Sequence, residues 1–411
     1  MRTTSMLLAL ATAVFAVACT GSPDSGDQGS SSNNGNGGTN STGPGSGAGA
    51  GSTGTGTGTV DETVLDERVT DYSEALRTAS LKLVRALPTL AQIKAVSEAG
   101  DLAAQKAAYE AQVDAMFEDP RFTARMVKWW RDVMRQGGGA DGDQPSRDTA
   151  PVFAARLTVE GQPYTNLFTQ ATNTCPSYDD ATNTFQDGEC NNGVPAHAGV
   201  LTNPGVMFQY YSNMAFRRVR WVQEVFTCSK FPAEYREGDP VKIGAAEFTS
   251  PWDFDSISGG PGSRVDFKDT SSVVCANCHT TMNHIAPLFG NFDMNGMWQG
   301  SIQVETPVVP PATTQLTDWL PEGKQDLAWR FGKPVTDLPG LGAAIAADPI
   351  VHECAVARAW NFAMSKEDIV SDMAAVPTVV IAPYISSFTS SSYNLKKVMI
   401  EIFKSEDFVK F

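Results

Sequence analysis

No long run of lysine or arginine occurs in this chain, and its 31 basic residues are outnumbered by 46 acidic ones, for a formal net charge of −15. A nucleic-acid-binding face needs clustered cations to neutralise phosphates, so that class of partner is set aside. Beyond the N-terminus no apolar run approaches the roughly 20 residues of a membrane-spanning helix. No internal repeat is visible, and the acidic side chains between Thr172 and Val194 do not follow the spacing of a regular calcium loop. Histidine and cysteine are scarce, four and seven in 411 residues, so a motif that spends three of them together stands out.

What is present begins with an export signal. Arg2 precedes an apolar run from Met6 to Val17, and Ala16-Val17-Ala18 leads into Cys19. Small residues before a cysteine form a lipobox, in which residues 1–18 are removed and the Cys19 thiol carries diacylglycerol. The plainer alternative is an ordinary signal peptide with a cysteine nearby. Thr20, not aspartate, follows the cysteine, which by resemblance to bacterial lipoproteins favours the outer membrane. Residues 20–59 are almost wholly Gly, Ser, Thr and Asn. Such a segment buries too little apolar surface to offset its ordering entropy and is expected to be a disordered tether, roughly 35 Å from end to end. Residues 19–60 thus read as anchor and tether.

The body beyond Val60 has mainly helical periodicity. Apolar side chains fall at helical spacing over Leu65–Leu87, then Pro88 interrupts. A second helix begins at Thr89 with Leu90, Ile93 and Val96 on one face, and a third runs from Leu102 to Glu118. Asp119-Pro120 opens a fourth, whose Phe122, Met126, Trp129, Trp130 and Val133 read as a core stripe. Gly137–Pro151 reads as a loop and Thr172–Val194 as an inserted surface loop stapled by Cys175 and Cys190. Phe216–Thr227 is a basic-fronted amphipathic helix, residues 229–272 are irregular, and closing helices are expected over Ile350–Met364 and Asn394–Lys410.

The chemistry lies in Cys275-Ala276-Asn277-Cys278-His279. Thiols three positions apart can form thioethers to the two vinyl groups of one haem edge, and the adjacent histidine then lies beneath the iron. Covalent haem is attached after export, which agrees with the N-terminus. Three alternatives compete: a short disulfide, an incomplete zinc site with His279 or His284, and a redox thiol pair. For the distal iron position Met297 and Met294 are the candidates, since Met282 and His284 follow His279 too closely to cross the ring plane. His197, His352, Met364 and Met373 are weaker choices, and His352 reads as a structural histidine. No second metal is expected.

Cys275-x-x-Cys278-His279-x-x-Met282, continuing to Phe289-x-x-Phe292-Asp293-x-x-Gly296, resembles the core of cytochrome-c-associated, planctomycete-type multidomain surface proteins of unknown function. Pro88-Thr89, Asp119-Pro120-Arg121-Phe122 and Trp129-Trp130 are similar to the family's N-terminal helical region. Arg218–Cys228 is similar to the helix opening its cytochrome-like part. Cys354-x-x-x-Arg358-x-Trp360 and Tyr393–Phe408 are similar to its C-terminal module. Asn283-His284 stands where the family has Asp-Pro.

The resemblance implies a mainly α, loop-rich helical body with a cytochrome-c-like haem region. Residues 61–215 would form the N-terminal helical region and 216–411 the haem region with its C-terminal module. It also implies a cysteine assignment: Cys175 with Cys190, leaving Cys228 with Cys354. Two functions stay open: single-electron transfer to a redox partner protein at the cell envelope, and a haem enzyme with an open distal site. A haem-free structural module is the third. No peroxidase-like constellation accompanies the motif.

Overall fold

The computed structural model describes residues 67–229, 241–243, 246–248, 279, 281–306, 312–320, 327–368 and 373–411. The leader and tether expected over residues 1–60, with Cys19, and the motif cysteines Cys275 and Cys278 lie outside the described residues.

The body is mainly helical, and local chemistry sets most helix ends. In α1 (Tyr72–Leu83) the Asp71 carboxylate accepts from the amides of Ser73 and Glu74. Thr89 and Gln92 form a reciprocal capping box at α2 (Leu90–Ser97), and Asp101 caps α3 (Leu102–Phe117). Asp119 caps α4 (Pro120–Met134), where Pro120 occupies the first turn and forfeits no needed hydrogen bond. Arg135, in the left-handed region at φ 51, ends it. The expected stripe of Phe122, Met126, Trp129, Trp130 and Val133 is buried, and the Trp130 indole donates to Thr158 Oγ1 on α5 (Thr149–Val159) at 3.0 Å.

Two expectations for this region are corrected. The first helix stops four residues before Leu87, because Arg85 at φ 54 turns the chain and leaves Leu87 65% exposed. In α2 only Val96 is buried, while Leu90 and Ile93 face solvent. So short a helix reaches the core through one side chain.

The Thr172–Val194 insert carries a hairpin, β1 (Ser177–Asp179) with β2 (Thr184–Gln186), and is closed by the Cys175–Cys190 disulfide. Next come α6 (Pro204–Gln209) and α7 (Phe216–Thr227), the latter with the bounds its sequence suggests. Further short hairpins pair 241–243 with 246–248, 303–305 with 313–315, and 328–329 with 333–334. The C-terminal module contains α8 (Leu338–Ala346), α9 (Pro349–Ala363), α10 (Thr378–Ser390) and α11 (Leu395–Phe403). The single closing helix expected over 394–410 is split at Ser405, which caps a separate turn over Glu406–Val409. Cys228, ending α7 at φ 55, is disulfide-bonded to Cys354 on α9.

One hydrophobic core runs from Tyr72 to Val409, across the 215/216 junction. The two ends close on each other through paired Val69 and Phe411 backbone hydrogen bonds of 3.0 Å, and Tyr109 donates to Phe403 O at 2.6 Å. Close approach is enforced at Gly342 on α8, where a Cβ would lie 2.1 Å from the carbonyl oxygen of Phe168. Gly342→Ala is therefore expected to lose about 1–3 kcal/mol by forcing backbone apart. Urea unfolding reads this directly, and an unchanged midpoint would show that α8 does not seat there.

Arg358, almost fully buried on α9, donates to Asp368 Oδ1 at 2.9 Å, and the Trp129 indole reaches Asp368 Oδ2 at 3.3 Å. Burial outweighs these partners and pushes the Asp368 carboxyl up to about 6. Its folded value thus exceeds the unfolded one, so the folded state holds the proton more tightly. This group's contribution to stability is full below about pH 4 and is lost as pH rises through 6, by at most about 3 kcal/mol. In Asp368→Asn that fall should vanish from the stability–pH curve between pH 4 and 7. A variant curve parallel to wild type would refute it.

Candidate functional site

His279 is the motif residue that the structure describes. Its Nδ1 lies 3.1 Å from Asn283 Oδ1. A carbonyl oxygen can only accept, so Nδ1 carries the hydrogen and the lone pair falls on Nε2. The four-residue spacing stacks the two side chains on one side of a helical turn. Asn283 is buried, and the Phe216 ring meets the imidazole nearly at right angles, 4.7 Å between centroids. Burial lowers the His279 pKa, with the Asn283 hydrogen bond opposing, so the ring is neutral at pH 7. Met282, Ile285, Ala286 and Phe289 follow it into the core. A neutral imidazole with Nδ1 occupied and apolar neighbours fits the donor set of an axial iron ligand.

Two residues along α7 from Phe216, Arg218 is 1% exposed. Its Nε and Nη2 donate to Met207 O at 3.1 and 2.7 Å. Nη1 donates to Phe289 O and Phe292 O at 2.9 and 3.0 Å, and Nη2 also reaches Asp293 O at 3.1 Å. Desolvation pulls its pKa down to about 10, against the opposing pull of Tyr211 and Asp293, so it stays cationic. One guanidinium thus joins α6, α7 and the chain that follows the motif. Hence α7 touches both parts of the site: His279 through Phe216, and the Phe289–Asp293 segment through Arg218.

That segment runs into a turn closed by an isolated bridge between Phe292 and Trp298. Asp293 Oδ1 accepts from the amides of Asn295 and Met297 at 2.8 and 3.0 Å. Gly296 sits at φ 74, and a Cβ there would lie 2.2 Å from Pro204 O. The backbone of the turn is docked on α6, whereas the side chains of Met294 and Met297 are 63% and 37% exposed. Met282 is buried, and Met364 and Met373 pack against the core. His352 donates from Nε2 to Ala346 O at 2.8 Å and lies 4.6 Å from the Tyr393 ring, as suits a structural histidine. His197 and His284 are half-buried.

Sequence reading missed Asn283, Phe216 and Arg218. The i,i+4 relation of His279 and Asn283 was available as a signal. Arg218 gave none, because three arginines in five residues look like a solvated face. Among the described residues no three His, Cys, Asp or Glu side chains gather as a metal site. Nor is any single described helix long and apolar enough to cross a membrane; α8 and α9 pass that test only together, bent by 63°.

The region holding α1 to α5 and the first strand of the insert's hairpin is similar to a known family of domains. Residues 60–183 match PSCyt2, a protein of unknown function (DUF1549). This planctomycete-type likeness covers the N-terminal helical region as far as residue 183 and ends before the C-x-x-C-H motif. Comparison with curated proteins and with solved structures gave no match. The groups placed around His279 come from α7, through Phe216, and from the chain after residue 278, through Asn283.

Proposed function

We propose that the chain is an exported lipoprotein, anchored through Cys19 at the outer membrane, that carries one haem c on Cys275 and Cys278 with His279 as proximal ligand and passes single electrons to a partner protein. The observation that carries this reading is the His279–Asn283 hydrogen bond beside a C-x-x-C-H motif. It fixes the ring tautomer in which Nε2 is the donor to iron. Ligated haem supplies a one-electron Fe(III)/Fe(II) couple. Asn283 orients the imidazole and raises its basicity, Phe216 packs against the ring, and Arg218 holds the following segment in place.

The test is expression in a host that matures c-type cytochromes. Mass spectrometry should show a gain of one haem that survives denaturation and is lost in Cys275→Ala with Cys278→Ala. Colourless protein with those sulfurs bonded to each other would end the proposal. A low-spin spectrum indifferent to carbon monoxide or cyanide supports electron transfer. Ready ligand binding would favour the enzyme with an open distal position, a reading to which the exposed Met294 and Met297 lend weight. In the loaded protein, Asn283→Leu removes the Nδ1 acceptor and makes the ligand less basic, which disfavours Fe(III). The reduction potential should rise by roughly 20–60 mV, the equivalent of one neutral hydrogen bond for a one-electron couple. Potentiometric titration checks this, and a fall in potential would contradict the assigned tautomer.

A further inference from the structure

Far from the motif in sequence, a cleft of about 770 Å³ opens where α1, α4 and α9 end. That volume lies within the usual range for small-molecule sites. In a chain of net charge −15, the cleft is lined by six cations (Lys82, Arg125, Arg131, Arg135, Arg147 and Lys366) against two carboxylates, Asp132 and Asp368. Arg131 is matched by Asp148 at 2.6 Å, and the two lining carboxylates are engaged by Lys128 and Arg358. Among the described residues, Lys82, Arg125, Arg147 and Lys366 pair with no carboxylate.

Helix capping is the plainer explanation for such cations. Lys82 Nζ does donate to Phe362 O at 3.1 Å and to Ser365 Oγ, and Arg125 Nε to Lys82 O at 3.0 Å. Three helix C-termini, however, present only about −1.5 charges between them, half a charge each. Four unmatched cations exceed that, and Arg147 and Lys366 cap no helix. Burial and the neighbouring Arg125 cation press the Lys82 ammonium down to about 8, as expected where like charges crowd together.

A second observation points to a ligand. Gln136 lines the cleft at 8% exposure, and both its amide Nε2 and Oε1 lack a hydrogen-bond partner. Asn361, fully buried in the same wall, leaves its Oδ1 unpartnered while its Nδ2 donates to Glu367 O and Ala374 O. Buried amides left so are destabilising and call for a water or a ligand group.

We propose that this cleft binds a small organic polyanion, a compound with two or more carboxylate or phosphate groups and a neutral polar group between them. Arg125, Arg147 and Lys366 hold the charges, and Gln136 and Asn361 read the hydroxyl or amide of the ligand. An acidic protein surface is the lesser fit, because a convex partner cannot reach two buried amides.

Isothermal titration of the full chain with citrate, fructose 1,6-bisphosphate and, as neutral control, fructose tests this. Saturable one-to-one binding of citrate or the bisphosphate is expected, with none of fructose. The two anions distinguish carboxylate from phosphate preference. Arg147→Glu with Lys366→Glu, both exposed side chains, should weaken binding by at least about tenfold while thermal unfolding shows the fold intact. Gln136→Leu, which leaves every charge in place, should weaken it by about tenfold as well. Absence of saturable binding of both anions at millimolar concentration would overturn the proposal, as would undiminished affinity in the charge-reversed variant. Binding of poly-glutamate alone would overturn it in favour of an acidic protein partner.

Discussion

Arg218→Met is expected to destabilise the chain by about 3–5 kcal/mol, because five hydrogen bonds to four backbone carbonyls disappear from a site that water cannot reach. Each orphaned carbonyl costs about 1–3 kcal/mol when buried. Relief from burying the guanidinium offsets part of that sum, which is why the net falls below the simple total. Arg218→Lys should recover less than half of the loss. A single ammonium cannot reach Met207 O on one side and Phe289, Phe292 and Asp293 on the other, whereas the planar fork does. Arg358 offers the internal comparison. Its bonds go to Asp368 alone, and its Nε and Nη2 have no partner, so Arg358→Met should cost less. Urea unfolding of the three variants gives the ranking. A loss under about 1 kcal/mol in Arg218→Met would mean that the Phe289–Asp293 segment is held by something else.

The sequence signals that held up are those with a local cause. Thr89 and Asp119-Pro120 mark helix starts because their side chains or rings act on the adjoining turn, and the structure begins α2 and α4 there. Helices that depend on tertiary packing were not legible. The α8 stretch, with Pro339, Gly340 and Gly342, has the composition of a loop, and its Gly342 is needed only because Phe168 O passes so near. The α10 stretch hides behind Pro383 and a run of β-branched residues, yet Ile381 and Phe388 are buried and hold it as a helix. The opposite error occurred at Leu90 and Ile93, where apolar periodicity promised a buried face that an eight-residue helix does not use. In the candidate site His279 was readable because its motif is contiguous. Phe216 reaches His279, and Arg218 reaches Phe289, Phe292 and Asp293, across more than sixty residues of chain, so no window of sequence shows those contacts.

The two disulfides should differ in what they contribute to stability. Replacing Cys228 and Cys354 by serine should destabilise by about 5 kcal/mol, and replacing Cys175 and Cys190 by about 3 kcal/mol. The difference comes from the unfolded state: one bond closes a separation of 126 residues and the other of 15, and loop-closure entropy grows with the logarithm of that length. The folded state works in the same direction. Cys354 is buried on α9, and its bond draws the end of α7 against that helix, whereas the shorter loop is a surface insert with a three-residue hairpin. The α7–α9 interface also keeps Val222 and Phe226 in the shared core, so the variant should still fold, with a lowered urea midpoint. A functional consequence follows in an oxidising compartment. Once paired, Cys228 and Cys354 no longer compete for Cys275 and Cys278, so a single Cys354→Ser, which frees the Cys228 thiol, should divert part of the motif into mixed disulfides. Peptide mapping after thiol alkylation would show Cys228 joined to Cys275 or Cys278 in that variant. Equal destabilisation by the two double replacements would place the constraint in native packing instead of chain entropy.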